Sequence, residues 1–538
     1  MVKLSDNYVQ NRDAFELAGV KVPSYDHETV VTRGLQNPRW IHFGGGNLFR
    51  AFHAAIANDL IEQGELDSGL IVVDTFSKEV VENVYHRNNN QVLRVVTKSD
   101  GSLDKQVFGS ISDAVFDSAE AQNPELVQAF ENRSLQIVTF SITEKGYALT
   151  DSQGELISTV QSDLANGPEN PVNNIARLVS LLWRRFNNGA YPLALLSTDN
   201  FSQNGDRLKA VVLRVARAWL ANGFVNQKFV DYLSDANQVS FPLSMIDRIT
   251  PNPSARVSKQ LLADGISGME MFKASYGAML ASFANTEETH YLVVEDAFPN
   301  GRPALEKAGV IVTDRDTVND VDEMKVTTSL NPLHTALALY GSILGNKSIS
   351  EEMKNPDLVG LIKQIGYVEG LPVVKDPKVI NPKKFIDEVV EKRLPNPYIP
   401  DTPQRIATDT SQKLAVRYGV TIQHYLDSAT LDVTKLKFIP LTIAVWFRYL
   451  LAVDDDGETF EPSPDPQLSY LQEQLEGISL GFNGDLAEIV NPILMNKTLF
   501  GVDLVEAGLS EKIVTYLQEM LAGKGAVAKT LHKKLAEV

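Results

Sequence analysis

The chain has 538 residues, 43% of them hydrophobic, and Lys+Arg 50 against Asp+Glu 68 give a formal net charge of -18. That is ample material for a large core and too long for one ordinary domain, so two domains are the simplest expectation. The acidic balance, with no basic tract interleaved with aromatics, argues against a nucleic-acid partner, and the lack of any cysteine excludes disulfides, thiolate catalysis and cysteine zinc sites and fits a reducing cytosol. The N-terminus, Met1-Val2-Lys3-Leu4-Ser5-Asp6-Asn7, has no apolar core of the signal-peptide kind. The longest apolar run, 438–453, is broken by Pro440 and Arg448 and is short for a membrane span. A buried core helix is expected there, with no membrane partner.

Residues 1–35 read as a polar lead-in with one amphipathic helix near 11–19. Trp40-Ile41-His42-Phe43 is then a short apolar run that stops at Gly44-Gly45-Gly46, and 47–64 follows with helical spacing of Leu48, Phe52, Ile56, Leu60 and Ile61. Gly69-Leu70-Ile71-Val72-Val73-Asp74 is an apolar strand ending in an acid. Strand, glycine turn, helix, strand and acid make one βαβ unit. Further buried strands at 135–140 and 194–197, separated by helical stretches such as 172–186 and 206–222, predict a Rossmann-like, doubly wound α/β domain over 36–310. From 311 to 538 the texture turns mainly α-helical, with patterns at 332–344, 382–392, 411–418, 441–453, 466–475, 504–521 and 526–537. No internal repeat interrupts it.

Glycines between a strand and a helix let the backbone approach a pyrophosphate, and the helix N-terminus offers N–H groups to the anion. The run Phe43-Gly44-Gly45-Gly46-Asn47-Leu48 is the candidate cofactor segment. It is not a full G-x-G-x-x-G, since Phe49 occupies the last position, and a tight turn packed for its own sake is the alternative. Asp74 is placed to accept hydrogen bonds from ribose hydroxyls and to repel the extra phosphate of NADP; a plain turn aspartate is the other reading. NAD is therefore expected before NADP, for which Lys78 lies nearby.

The segment Lys325-Val326-Thr327-Thr328-Ser329-Leu330-Asn331-Pro332-Leu333-His334 gathers a base and two polar groups. Moving a hydride to or from a carbinol carbon needs a group to exchange the hydroxyl proton, and a lysine serves when burial or a cationic neighbour brings its pKa toward neutrality. Fixed donors must also hold the developing charge on oxygen. Asn331 followed by Pro332 reads as a helix N-cap and first-turn pair. The plain alternative is a capping Asn331, a core His334 and a solvated Lys325.

Other polar candidates are Asp199-Asn200 after a predicted strand, Asp247-Arg248 inside an apolar stretch, Arg302, and Arg405 with Lys413. Each is also readable as an ordinary surface charge. His42 and His53 flank the glycine turn as packing residues. No His-rich spacing suggests a metal.

Taken together, these pieces resemble the polyol-specific long-chain dehydrogenases, the mannitol dehydrogenase family, over nearly the whole chain. The likeness rests on Gly44, Gly46 and Arg50, on Ile142-Thr143-Glu144-Lys145-Gly146-Tyr147, on Asp199-Asn200 and on Asp247-Arg248-Ile249-Thr250-Pro251. It implies Lys325 as acid/base, with Asn200, Asn331 and His334 on the reacting oxygen. It also implies Arg405 and Lys413 on distal substrate groups, NAD(P) as cofactor and no metal. Where many members have Lys-x-x-x-x-Asn-Gly-x-His, this chain carries one more residue before Asn331, and Pro332 in place of the glycine. The Leu-Asn-Pro-Leu-His version is most similar to members that interconvert D-fructuronate and D-mannonate. D-mannitol with D-fructose is the second expectation and tagaturonate the third. For a hexuronate, Arg248, Arg302 and Arg405 are the candidates to hold the carboxylate. A non-catalytic dinucleotide sensor is the alternative of a different class. The expected partner is a small sugar acid or polyol, and the chain is expected to work as a monomer or homodimer.

Overall fold

Trp40–Phe43 (β1) and Leu70–Asp74 (β2) bury every one of their side chains, as strands covered on both faces do. The computed structural model describes residues 1–118, 123–151 and 153–538. In it, these two strands join Ile111–Phe116 (β3), Ile137–Phe140 (β4), Leu193–Ser197 (β5) and Val239–Ser240 (β6) in a six-stranded sheet of order β6-β5-β4-β1-β2-β3. All neighbours are parallel. The chain winds from β1 outward through β2 to β3, then crosses back to start again at β4. The carboxyl ends of β1 and β4 therefore diverge into connections on opposite sides, the switch point where such sheets bind ligands.

Alternation along the strands sends Ile41, Phe43, Ile71, Val73, Val138 and Phe140 into one core and Trp40, Leu70, Val72 and Ile137 into another. Each such fully buried side chain contributes about 1.5–3 kcal/mol. The second core is closed by Ala54–Glu62 (α1). The first is closed by Pro124–Glu131 (α2), Asn174–Asn187 (α3) and Asn204–Ala221 (α4). Asn123 and Asn173 start α2 and α3 by accepting N–H bonds from the first turn, so α3 begins two residues later than its apolar pattern.

A second sheet was not foreseen. Val92–Thr97 pairs antiparallel with Leu103–Phe108, flanked by Phe283–Thr286 and Val20–Lys21. The signal was present in Asp100-Gly101, with Gly101 at φ 84°, a hairpin dipeptide. Residues 1–35 are part of this body, since Val20–Lys21 pairs with Lys105–Gln106 and Val2–Lys3 with Ile266–Ser267.

By its contacts the chain divides into Met1–Asn319 and Asp320–Val538. Arg315–Met324 (α5) carries it from one to the other. The second unit is helical: Asn331–Ile343 (α6), Pro403–Ala407 (α7), Val420–Asp427 (α8), Phe438–Leu450 (α9) and Ser510–Met520 (α10) are among its elements. Every residue of α9 is buried, so the longest apolar run is a core helix. Its N-terminus is capped by the buried carboxylate of Glu369, which accepts from the N–H groups of Lys437, Phe438 and Ile439 at 2.6–2.8 Å. Among the described residues no helix is long and apolar enough to cross a membrane. The pattern at 411–418 resolves into a short turn, Thr410–Gln412, and a wide π-helical turn, Ala415–Gly419, before α8. The pattern at 504–521 yields a helix only from 510, because Gly508 (φ 74°) interrupts it.

Candidate active site

Gly44 follows β1 at φ 114°. A Cβ there would stand 2.2 Å from the Ser141 carbonyl, so this position admits only glycine. The close approach joins the ends of β1 and β4, where Ser141 N–H donates to Phe43 O at 2.8 Å, while Gly44 N–H donates to Val73 O of β2 at 2.8 Å. At Gly46 a Cβ would meet nothing within 4 Å, leaving its backbone open. Tyr85 Oη holds the Gly45 carbonyl at 2.7 Å. Asn47 is fixed at both ends, donating to Pro251 O at 3.0 Å and accepting from Arg50 Nη2 at 2.6 Å. Arg50 is buried and bonds Ala281 O and Phe283 O, so it braces the turn against the second sheet. Leu48 then leads into the wide turn Phe49–His53 that precedes α1. A glycine-only corner with an open backbone face at the switch point fits a dinucleotide pyrophosphate.

Asp74, at the end of β2, accepts from the N–H groups of Phe76 (2.9 Å) and Ser77 (2.7 Å) through Oδ1. Its Oδ2 lies against Gly45, 3.1 Å from where a Cβ would be. Burial raises its pKa, opposed by N–H groups of Ser77, Phe76 and Gly45. The aspartate is thus a turn cap whose other oxygen borders the glycine turn. The His42 and His53 rings meet at 4.4 Å, tilted by 41°. Burial pushes His42 well below the usual imidazole range and His53 down to about 4. Thr139 and Ser141 hold both His42 nitrogens and Thr198 holds His53 Nε2, at 2.7–2.8 Å, and burial keeps both rings neutral as packing groups.

Two segments that were separate in the sequence meet at the ends of β4 and β5. The Asp199 carboxylate accepts from the N–H groups of Ile142 (3.0 Å) and Thr143 (2.9 Å) and from Tyr147 Oη (2.7 Å). It thereby fixes the loop 142–147 and sets the place of Asn200, the next residue. Asp247 closes the strand Ser244–Asp247. Arg248 donates from Nε to Thr286 Oγ1 at 2.8 Å and lies over the Phe52 ring. Arg302 is bound by Asp296 and Glu306.

In the second unit, Lys325 is buried, 2% exposed, and opens a π-helical turn, Lys325–Ser329. Leu330 N–H reaches back five residues to Lys325 O at 3.1 Å. Such a turn holds one residue more than an α-helical turn, which gives the additional residue before Asn331 a place. α6 starts directly after it. Asn331 is the first helical residue and Pro332 the second, and Leu330 occupies the capping position. The expected N-cap role of Asn331 is therefore corrected: the wide turn leaves only Leu330 between the two helical segments, and Asn331 has already joined the helix.

His334 Nε2 lies 3.1 Å from Asp401 Oδ2. Nε2 makes no well-directed hydrogen bond there, and the pair is ionic only when the ring is protonated. Burial lowers the His334 pKa, opposed by Asp401. Asp401 sits below the usual carboxylate range because His334 and Arg405 together outweigh its own burial. Arg405 grips Asp401 through Nε (2.8 Å) and Nη2 (2.7 Å). Lys413 donates to Thr408 O, and burial together with the charge of Arg417 brings it down to about 8. The structure thus joins His334 and Arg405 through an unforeseen Asp401, puts Lys413 within electrostatic reach of Arg405, and adds an unforeseen Arg417, whose Nη1 donates to Thr335 Oγ1. The eight-residue spacing of Arg405 and Lys413 was visible beforehand. Asp401 and Arg417 carried no signal beyond being charged residues near it. Among the described residues no group of three His, Asp or Glu is arranged to hold a metal ion.

Residues 38–307 match the model of the mannitol dehydrogenase Rossmann domain and residues 317–521 that of the mannitol dehydrogenase C-terminal domain. The chain is 44% identical, over 99% of both chains, to a protein of Thermotoga maritima named D-mannonate oxidoreductase. It is similar to the solved structure of a substrate-free D-sorbitol dehydrogenase, with TM-score 0.78 and 26% identity over 95% of this chain and 97% of that one. It is also similar to Pseudomonas fluorescens mannitol 2-dehydrogenase in ternary complex with NAD and D-mannitol, with TM-score 0.71 and 26% identity over the full length of both.

Proposed function

The chain belongs to the mannitol dehydrogenase family, and from that premise we propose that it is an NAD(H)-dependent oxidoreductase interconverting D-fructuronate and D-mannonate. The observation that carries this reading is the 44% identity, across 99% of both chains, to a D-mannonate oxidoreductase. D-mannitol with D-fructose is the second reading, favoured only by the more distant likeness to a mannitol 2-dehydrogenase at 26% identity.

Phe43 to Leu48 would hold the dinucleotide, its pyrophosphate over the open backbone at Gly46, with Asp74 at the ribose and disfavouring the extra phosphate of NADP. Bound there, NADH supplies the hydride and NAD takes it back. Lys325 gives a proton to the ketone oxygen as the alcohol forms and removes it in the reverse direction. Asn331 and His334 hold that oxygen. With Nε2 turned to Asp401, Nδ1 is the ring nitrogen left for a ligand. It donates to a ketone when the ring is doubly protonated, which Asp401 favours, and accepts from a hydroxyl when it is neutral. Arg405 and Lys413 bind distal substrate groups. Asn200 stays in the proposal as a further donor on the resemblance alone, as do Asp247, Arg248 and Arg302 as substrate contacts. The reaction is assigned to the cytosol and to a monomer or homodimer.

NADH oxidation with D-fructuronate and with D-fructose, side by side, tests the reading. Turnover of fructuronate well above fructose is expected. Turnover of fructose alone would replace it with a mannitol dehydrogenase. NADH binding without turnover of either would leave only a dinucleotide-binding protein.

A further inference from the structure

A keto sugar acid differs from a keto sugar by one carboxylate, and three arginines suggested by the sequence are committed to other protein groups. Arg248 bonds Thr286, Arg302 is bound by Asp296 and Glu306, and Arg405 grips Asp401. Arg417 is different. It lies in the wide turn Ala415–Gly419, one helical turn past Lys413, to whose carbonyl its own N–H bonds at 2.9 Å. Its Nη1 is pinned to Thr335, the residue after His334, which fixes the guanidinium at the first turn of α6.

Among the described residues no carboxylate stands within ion-pair distance of Arg417. Two acids of this corner are engaged elsewhere, while Asp409 acts on Lys413 through its charge. Asp401 is taken by His334 and Arg405, and Asp465 by the N–H and Oγ of Ser411 at 2.7 and 2.5 Å. Arg405 and Arg417 both act on Lys413 through their charge, so three cations share this corner. Burial depresses the Arg417 pKa to about 10, and its charge is felt at both Lys413 and His334. Arg417, Lys413, His334 and Asn331 are all half-buried, so the corner remains open to a ligand. A guanidinium held out of bulk water with donors to spare is stabilised by an anion that fills them in a bidentate pair.

We propose that Arg417, with Lys413 beside it, receives the carboxylate of the sugar-acid substrate and so sets the preference for a keto acid over a neutral keto sugar. The proposal rests on the reading under Proposed function. It is tested by NADH-oxidation kinetics with D-fructuronate, and by D-mannonate oxidation in the reverse direction, for the wild type, Arg417→Gln and Arg417→Lys. Arg417→Gln is expected to raise the KM for both acids by roughly 10- to 100-fold, the cost of a charged hydrogen bond, with kcat changed far less. Arg417→Lys, which keeps the charge and loses the planar fork, is expected to recover part of that loss while still exceeding the wild-type KM. It carries the test alone if the glutamine variant does not fold. An unchanged KM in Arg417→Lys, or a fall in kcat with KM unmoved in either variant, overturns the proposal while leaving the functional reading intact. A wild type that does not reduce D-fructuronate overturns both.

Discussion

The glycine turn of the first unit and the charged corner of the second are built by different physical means. At Gly44 to Leu48 the chain offers backbone: one corner that only glycine can turn, an open face at Gly46, and side chains such as Arg50 spent on bracing. At His334, Asp401, Arg405, Lys413 and Arg417 it offers side chains, several shifted in pKa by burial and by each other. The first kind of site is set by main-chain geometry and is insensitive to pH. The second is set by charge and answers to it. One region is a mould and the other a balance of titrating groups.

The sharpest way to separate the two regions is to remove the proposed proton carrier and leave the mould. Lys325→Ala is expected to lower kcat by roughly 10²–10⁴-fold while NADH, titrated by its fluorescence, binds as before. Near-normal turnover at every pH would sink the acid/base assignment. The converse change damages the mould. Gly44→Ala forces a Cβ into the Ser141 carbonyl at an already left-handed φ, costing on the order of 3 kcal/mol. A lower thermal midpoint and weakened NADH binding are expected together, and an unchanged midpoint would show that β1 and β4 can part without penalty. The smallest effect separates the two by pH. Lys413, held down to about 8, is charged below that pH and neutral above it. The KM for the keto acid should therefore climb a few-fold between about pH 7 and 9 as its ammonium is lost, while NADH affinity stays level. A flat KM across that range would remove Lys413 from the substrate.

The same contrast explains what could be read from the sequence. The Rossmann-like sheet was legible because buried parallel strands are continuous apolar runs, and because Gly44 to Gly46 falls between such a run and a helix. The hairpin at 92–108 was missed because its strands carry Arg94, Asp104 and Lys105 among apolar residues, which hides the alternation. In the second unit the segment from Lys325 to His334 stood out because its polar residues are close in sequence. Asp401 and Arg417 were not, since they reach His334 and Thr335 only through folding of chain 67 to 82 positions away. Conversely, the Asn331-Pro332 pair looked like a helix start with a cap, and the start was found one residue earlier, because local pattern does not report a π-helical turn immediately upstream.

That turn has a consequence for the geometry of the chain. An α-helix has no place to store an odd residue: adding or removing one rotates everything beyond it by about 100° about the axis. The five-residue return from Leu330 to Lys325 absorbs such a residue locally, so α5 and α6 keep their bearings on either side. Shortening 326–329 by one residue would close the loop into an ordinary helical turn and pass the rotation on to Lys325. No chemical group would be lost, but the ammonium would point elsewhere. Here the count of residues, as much as their kind, aims the side chain.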